Sequence, residues 1–101
     1  MRETGRLGFK AQLVKELASR FPDCVIFNLD PNTMHQGIPD LLILHNNKWA
    51  MLETKGAPTS RRRPNQEYWV DFYNELSFAA FVYPENEGEI LDALQHALCS
   101  R

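Results

Sequence analysis

Three residues near the middle of the chain have side chains whose types and spacing suit chemistry on a phosphate ester. Asp40 precedes Glu53 by thirteen residues, and Lys55 follows two residues after Glu53. Two neighbouring carboxylates repel each other, and a divalent cation relieves that repulsion. Oxygen ligands suit Mg²⁺, for which Mn²⁺ can substitute. An ammonium group beside the ion can stabilise negative charge in the transition state, so we expect metal-assisted phosphodiester hydrolysis.

The stretch that must position these side chains, residues 37–55, has the pattern of a β-hairpin. Residues 41–44 and 49–54 are two largely apolar runs, and the polar residues 45–48 between them include two asparagines. Asparagine tolerates the positive φ angles of tight hairpin turns. Antiparallel pairing about this turn brings Asp40, before the first strand, beside Glu53, near the end of the second.

Each of the three residues also has an ordinary structural interpretation. Asp40 fits a strand-end aspartate that caps a loop, and Lys55 fits a solvated lysine in a loose ion pair with Glu53. Alternation puts Glu53 and Lys55 on one strand face, with Thr54 pointing away, and carboxylates are seldom buried unless they are paired or bound to metal. Lys55 either activates the attacking water or stabilises charge. Because an ordinary lysine pKa of about 10.4 makes a poor base at neutral pH, we favour charge stabilisation.

The two motifs and the elements around them resemble a known family. Pro39-Asp40, followed after twelve residues by Glu53-Thr54-Lys55, is similar to the signature of the PD-(D/E)XK nucleases, and most similar to their small VRR-NUC type. A glycine before the Pro-Asp pair, apolar strands around both motifs and a glutamine opening the next helix add to the likeness, which runs from about residue 4 to residue 98. The resemblance implies an α/β fold with a restriction-endonuclease-like αβββαβ core, a mixed central sheet flanked by helices, and an added C-terminal helix.

The resemblance also implies further site residues. The backbone carbonyl of Thr54 is expected as a metal ligand, and one more acid is expected from the first helix, where the chain offers Glu3 and Glu16. Glu3 begins the helical stripe that contains Leu7, whereas Glu16 lies on the flank of that stripe, so Glu3 is favoured. Gln66 stands where the family places a glutamine. It either contacts the ion, the water or a phosphate, or is simply a polar residue at a helix start.

Candidate DNA contacts lie on both sides of the catalytic hairpin. Arg61, Arg62 and Arg63 follow the second strand, and we expect them to bind phosphates, although a run of arginines is often only a solvated surface. His35 and Gln36, just before the hairpin, are expected to line the entrance to the site. The chain has a net charge of −2, but residues 55–63 contain four cations and no acid. The net charge therefore does not settle the partner.

Hydrophobic periodicity and turn residues predict the remaining elements. The expected order is α-β-β-β-α-β-α in a single domain covering residues 1–101, with helices at 3–20, 64–76 and 87–98 and non-hairpin strands at 24–28 and 78–83. The second helix is expected to begin at the proline of position 64. Its apolar stripe, at positions 68, 69, 72, 73 and 76, is interpreted as core packing in preference to a platform for stacking DNA bases.

Composition and the resemblance together set the expected partners and setting. The two cysteines form no disulfide framework, which favours a reducing cytoplasm, and no apolar run is long enough to span a membrane. A compact stand-alone domain suits a phage or another mobile element. The resemblance implies a Mg²⁺-dependent endodeoxyribonuclease that works as a homodimer and cuts DNA, including branched DNA such as a Holliday junction. The alternative is a catalytically silent, nuclease-like module that binds nucleic acid or protein; the complete set of acids and lysine argues against it.

Overall fold

The computed structural model describes residues 5–29 and 35–99. The predicted element order is confirmed, with one short 3₁₀ helix, Pro84–Asn86, added before the last helix. The main elements are α1 (Gly5–Arg20), β1 (Val25–Asn28), β2 (Leu41–His45), β3 (Lys48–Thr54), α2 (Gln66–Leu76), β4 (Phe78–Val82) and α3 (Glu87–Cys99). The described residues therefore form an α/β fold with three α-helices, the last of which follows β4.

The four strands form one mixed sheet in the order β1-β2-β3-β4. β1 and β3 each pair with β2 in antiparallel fashion, whereas β4 pairs parallel to β3. The parallel pair requires a crossover connection, which α2 supplies. Leu41 pairs with Leu52 in the β2–β3 ladder, so the next position outward sets Asp40 opposite Glu53.

The β2–β3 turn fixes this register. Asn46 and Asn47 have φ angles of 54° and 63°, and His45 pairs with Lys48 as the last rung of the ladder. Positive φ at both central residues is the geometry whose twist matches that of the flanking strands. Two asparagines adopt it at low cost, which explains why the polar stretch folds as a tight two-residue turn.

The sheet lies between two hydrophobic clusters. The larger cluster joins buried side chains of α1 and α3 to one face of the sheet, with Leu13, Leu17, Ile43 and Leu94 all fully buried. A smaller cluster on the other face includes Val70 of α2. The predicted mixed sheet flanked by helices is thus confirmed. Among the described residues, no helix is long and apolar enough to cross a membrane.

One prediction about α2 was wrong, and another is confirmed only in part. The helix begins at Gln66 and not at the proline two residues earlier, because Asn65 has a left-handed φ of 70° that is incompatible with a helix. In the predicted apolar stripe, Tyr73 packs against the smaller cluster, whereas Tyr68 is 60% and Phe72 40% exposed; the buried Val70 lies outside the stripe. α2 packs on β3 and β4, so only a narrow strip of the helix faces the sheet.

Candidate active site

The three chemically active residues of the hairpin lie together at its open end. Asp40, Glu53 and Lys55 are only 6%, 3% and 8% exposed, and all three line one cleft. Lys55 Nζ is 3.9 Å from Glu53 Oε2. The backbone amide of Lys55 donates to the carbonyl of Val82, which anchors the end of β3 to β4.

Asp40 is held by the end of β3. Its Oδ1 accepts a hydrogen bond from the Thr54 backbone amide at 3.0 Å, and its Oδ2 accepts one from Thr54 Oγ1 at 2.7 Å. The Asp40 carbonyl accepts from the amide of Leu29, just after β1. Both carboxylate oxygens therefore have fixed donors, which sets the orientation of the carboxylate.

Two cations of α1 reach the same carboxylate. Arg6 Nη2 lies 2.7 Å and Lys10 Nζ 3.2 Å from Asp40 Oδ2, and Arg6 Nε donates to the Thr54 carbonyl at 3.2 Å. Sequence reasoning looked for an acid on this helix and missed both residues. The available signal was their spacing of four, on the side of the helix that also carries the buried Phe9.

Gln66 bridges the acid and the lysine. Its Nε2 donates to Glu53 Oε2 at 3.1 Å, and its Oε1 accepts from Lys55 Nζ at 2.7 Å and from the Arg63 amide at 2.7 Å. Lys55 Nζ also donates to the Arg61 carbonyl at 3.0 Å. Gln66 is 7% exposed, so it is a buried bridge and not a solvated residue at a helix start.

Gly37 allows this bridge to form. Its φ is +88°, and a Cβ at this position would lie 2.8 Å from the Asn65 carbonyl carbon and 2.9 Å from the Gln66 amide nitrogen. Contacts that short require the backbone to move, so only glycine fits. The close approach holds the start of α2 against the loop that leads to Asp40.

The electrostatics of the site reflect its burial. Burial and, after it, the charge of Asp40 raise the pKa of Glu53 from 4.5 to about 7, although Lys55 and Arg6 act in the opposite direction. Burial also lowers the pKa of Lys55, Glu53 opposes that change, and Arg6 and Arg63 reinforce it. The positive charges near Glu53 therefore do not fully offset the cost of ionising a buried carboxyl group.

The cleft around these residues has a volume of about 1350 Å³ and is cationic. Its charged lining residues are five cations and two acids, a formal balance of +3 in a chain whose net charge is −2. The cations are Arg6, Lys10, Lys55, Arg61 and Arg63, and the acids are Asp40 and Glu53. Positive charge is therefore concentrated at the site, as a polyanionic ligand requires.

The predicted DNA contacts divide into two groups. Arg61, Arg63 and Gln36 line the cleft. Arg62 instead pairs with Glu67 at 3.1 Å and lies 3.8 Å over the ring of Phe81. His35 stacks on the Trp69 ring, with the ring centroids 4.7 Å apart.

The two candidate first-helix acids have separate outcomes. Glu3 lies outside the described residues. Glu16 is exposed. Burial of Glu87 is the main cause that raises the pKa of Glu87, and the negative charge of Glu16 is the second. Glu16 therefore lies beside the start of α3.

The oxygen atoms around Asp40 suit a hard cation. Within residues 5–29 and 35–99, no group of three or more His, Cys, Asp or Glu side chains converges. Mg²⁺ needs fewer, because it keeps several waters and is bound through one or two carboxylates. Asp40, Glu53 and the Thr54 carbonyl supply such a set, and the Arg6 guanidinium already lies on two of these groups. The residues present therefore fit the ion.

Fold and site together define an α/β protein with a cationic cleft around a buried cluster of two acids, a lysine and a glutamine. No protein-family model, curated protein or solved structure matches this chain. The geometry of the cleft is therefore the basis on which a function can be assigned.

Proposed function

We propose that this protein is a Mg²⁺-dependent endodeoxyribonuclease of the PD-(D/E)XK type, with the restriction-endonuclease-like core of that family. The observation that carries the proposal is the burial of Asp40 and Glu53 at one end of the hairpin, with Lys55 Nζ 3.9 Å from Glu53 Oε2, in a cleft whose other charged residues are all cationic. A buried pair of acids is costly without a positive partner. A cationic cleft around it suits the phosphate backbone of DNA.

Asp40, Glu53 and the Thr54 carbonyl would hold the ion, for which Mn²⁺ can substitute. When bound, Mg²⁺ supplies a Lewis acid for the scissile phosphate and an activated water molecule. Lys55 Nζ has two of its three donors engaged, by the Arg61 carbonyl and Gln66 Oε1. We assign its remaining donor to a non-bridging phosphate oxygen, where negative charge develops in the transition state.

The other residues of the cleft bind DNA or hold the acids and the lysine in position. Gln66 holds Glu53 and Lys55 in their relative orientation through one amide group, so it is a positioning residue. Arg61 and Arg63 are assigned to phosphates on either side of the scissile bond. Gln36 lies at the same cleft and is assigned to the DNA backbone.

Plasmid nicking tests the proposal. We expect cleavage with Mg²⁺ or Mn²⁺, none in EDTA, and recovery when excess Mg²⁺ is restored. Asp40→Asn and Glu53→Gln should each reduce the rate by on the order of 10³-fold, because each removes a charged ligand. Asp71→Asn, on the exposed side of α2, is the matched control and should cleave as the wild type does.

Two results would contradict the metal mechanism: cleavage that persists in EDTA, or cleavage that survives Asp40→Asn. A protein that binds DNA but cleaves nothing with either ion would instead be the silent, nuclease-like module. Linear duplex, single strand, flap and four-way junction should be assayed in parallel. The family resemblance favours the four-way junction.

The proposed homodimer has a candidate surface on the sheet. Val25 and Phe27 of β1 are 47% and 48% exposed, and Leu44, which pairs with Val25, is 38% exposed on the same face. Phe27→Glu should convert a dimer into a monomer in sedimentation velocity and abolish paired cuts while nicking continues. Leu76→Glu, at a residue 61% exposed on α2, is the control. A wild-type chain that sediments as a monomer would refute the dimer.

A further inference from the structure

The Arg6 guanidinium lies on two oxygen atoms assigned to the metal. Its Nη2 is 2.7 Å from Asp40 Oδ2, and its Nε is 3.2 Å from the Thr54 carbonyl oxygen. These two groups come from different strands, so one side chain bridges them. A divalent ion held by Asp40 and the Thr54 carbonyl would compete with the guanidinium for these oxygens.

Arg6 differs from the other partners of Asp40 in how easily it can leave. The Thr54 amide and hydroxyl are fully buried, and they donate to the carboxylate whether or not a cation is present. The Arg6 side chain is 42% exposed at the edge of the cleft. It can therefore rotate into solvent without disturbing the core.

The backbone of α1 stays in place during such a rotation. A Cβ on Gly56 would lie 3.3 Å from the Arg6 amide nitrogen, so the first turn of α1 packs closely against the loop that follows β3. Phe9 and Leu13, further along the helix, are buried in the core. Movement at Arg6 is thus confined to its side chain.

We propose that Arg6 is an internal counter-ion of the metal-free site and that Mg²⁺ binds by exchange with it. The guanidinium and the ion compete for Asp40 Oδ2 and the Thr54 carbonyl, and like charge excludes both from occupying them together. Once displaced, Arg6 lies at the edge of the cationic cleft, where it binds a DNA phosphate. This inference rests on the proposed nuclease function, because it concerns the same site.

Exchange at Arg6 couples the binding of metal to the binding of DNA phosphate. Metal binding releases a guanidinium for phosphate, and phosphate that captures the guanidinium clears the metal site. Each ligand should therefore raise the affinity for the other by the same factor. Lys10 Nζ lies 3.2 Å from the same Asp40 Oδ2, so the ion also has to displace it from this oxygen.

Mn²⁺ affinity of Arg6→Gln tests the exchange without any cleavage assay. Binding is measured on the full chain without DNA by electron paramagnetic resonance, with Mg²⁺ as competitor. All variants are measured in the same buffer at pH 8.5. We expect R6Q to bind Mn²⁺ about tenfold more tightly than the wild type, since a charge-assisted competitor has been removed.

Arg20→Gln is the matched control. It removes the same charge from the other end of α1, where Arg20 pairs with Asp92 at 2.6 Å. Its Mn²⁺ affinity should stay within about twofold of the wild type, since charges this far apart in water are largely screened.

The possible results separate this inference from the nuclease proposal. If the wild type binds Mn²⁺ and R6Q binds it equally or more weakly, the exchange is refuted and the metal mechanism stands. If neither protein binds Mn²⁺, both proposals fail. Should R6Q not fold, ¹⁵N spectra of the wild type decide. The Arg6 Nε–H signal is assigned by its loss in Arg6→Lys. It should be protected from exchange with water without metal and should lose that protection on saturation with Mg²⁺. A signal that stays protected refutes the exchange.

Discussion

Glu53 is a buried acid whose ionisation the fold disfavours. Its pKa of about 7 lies above the ordinary value of 4.5, so ionisation costs more in the folded chain than in the unfolded one. The stability that comes from the protonated acid is complete below pH 4.5 and is lost as the pH rises through 7. A divalent cation bound beside the carboxylate would reverse this loss.

The first prediction concerns the stability of Glu53→Gln in EDTA. The amide keeps the shape of the acid but cannot ionise. We expect the variant to exceed the wild type in free energy of unfolding by about 1–3 kcal/mol at pH 8.5, and by much less at pH 4.5. Urea denaturation at both pH values measures the difference. Glu67→Gln, at an exposed acid of α2, is the control, and an equal gain at both pH values would contradict the assignment.

Gln66 is the residue whose side-chain amide connects Glu53 and Lys55. Gln66→Ala removes a donor from Glu53 and an acceptor from Lys55, and we expect kcat to fall by about 10- to 100-fold with little change in KM, since positioning is lost and not binding. Gln66→Glu adds a negative charge beside Glu53 and should raise its pKa. The acid limb of the profile of kcat/KM against pH should then move to higher pH. A profile that does not move would refute contact between residue 66 and Glu53.

At the scale of elements, the hairpin is the part of the site that sequence alone could specify. The pair Asn46–Asn47 fixes the turn, the turn fixes the register, and the register sets Asp40 opposite Glu53. Each step depends on neighbours within about ten residues. The local sequence is therefore sufficient to predict that the two acids lie opposite each other.

The contribution of α1 could not be predicted in the same way. Arg6 contacts Asp40 in a fold where Leu13 and Leu17 pack α1 into the larger core cluster. That packing depends on core residues from distant parts of the chain, and helical periodicity does not encode it. The predicted start of α2 was wrong for a related reason. Proline suits a first helical turn, but the approach of Gly37 to Asn65 decides where the helix begins.

Gly37→Ala tests how firmly the elements fix the site. The substitution adds a Cβ 2.8 Å from backbone atoms at a φ of +88°. We expect a loss of at least about 2 kcal/mol in free energy of unfolding, from strain and from displacement of α2. Gly88→Ala, in α3 with open space around it, should be neutral or slightly stabilising. Equal urea midpoints for the two variants would show that the close approach is unimportant.

At the scale of the whole molecule, positive charge is concentrated at the cleft although the net charge of the chain is negative. The chain is acidic by two units, yet the charged residues lining its cleft sum to +3. Two of the three consecutive arginines belong to the cleft lining, whereas Arg62 is engaged by Glu67 and Phe81. The sequence showed the cluster of arginines, but their division between the cleft and the surface arises only from the fold.

The salt dependence of DNA binding measures this separation. Each phosphate contact releases bound counterions, so removing one contact should reduce the slope of log Kd against log salt by about 0.9. We expect Arg61→Ala and Arg63→Ala each to lower the slope by about this amount, in fluorescence anisotropy with a short duplex in EDTA. Arg62→Ala should leave the slope nearly unchanged, because its guanidinium already pairs with a carboxylate. Slopes that fall equally for all three would mean that the arginines act as one solvated run, and slopes that fall for none would place the DNA outside this cleft.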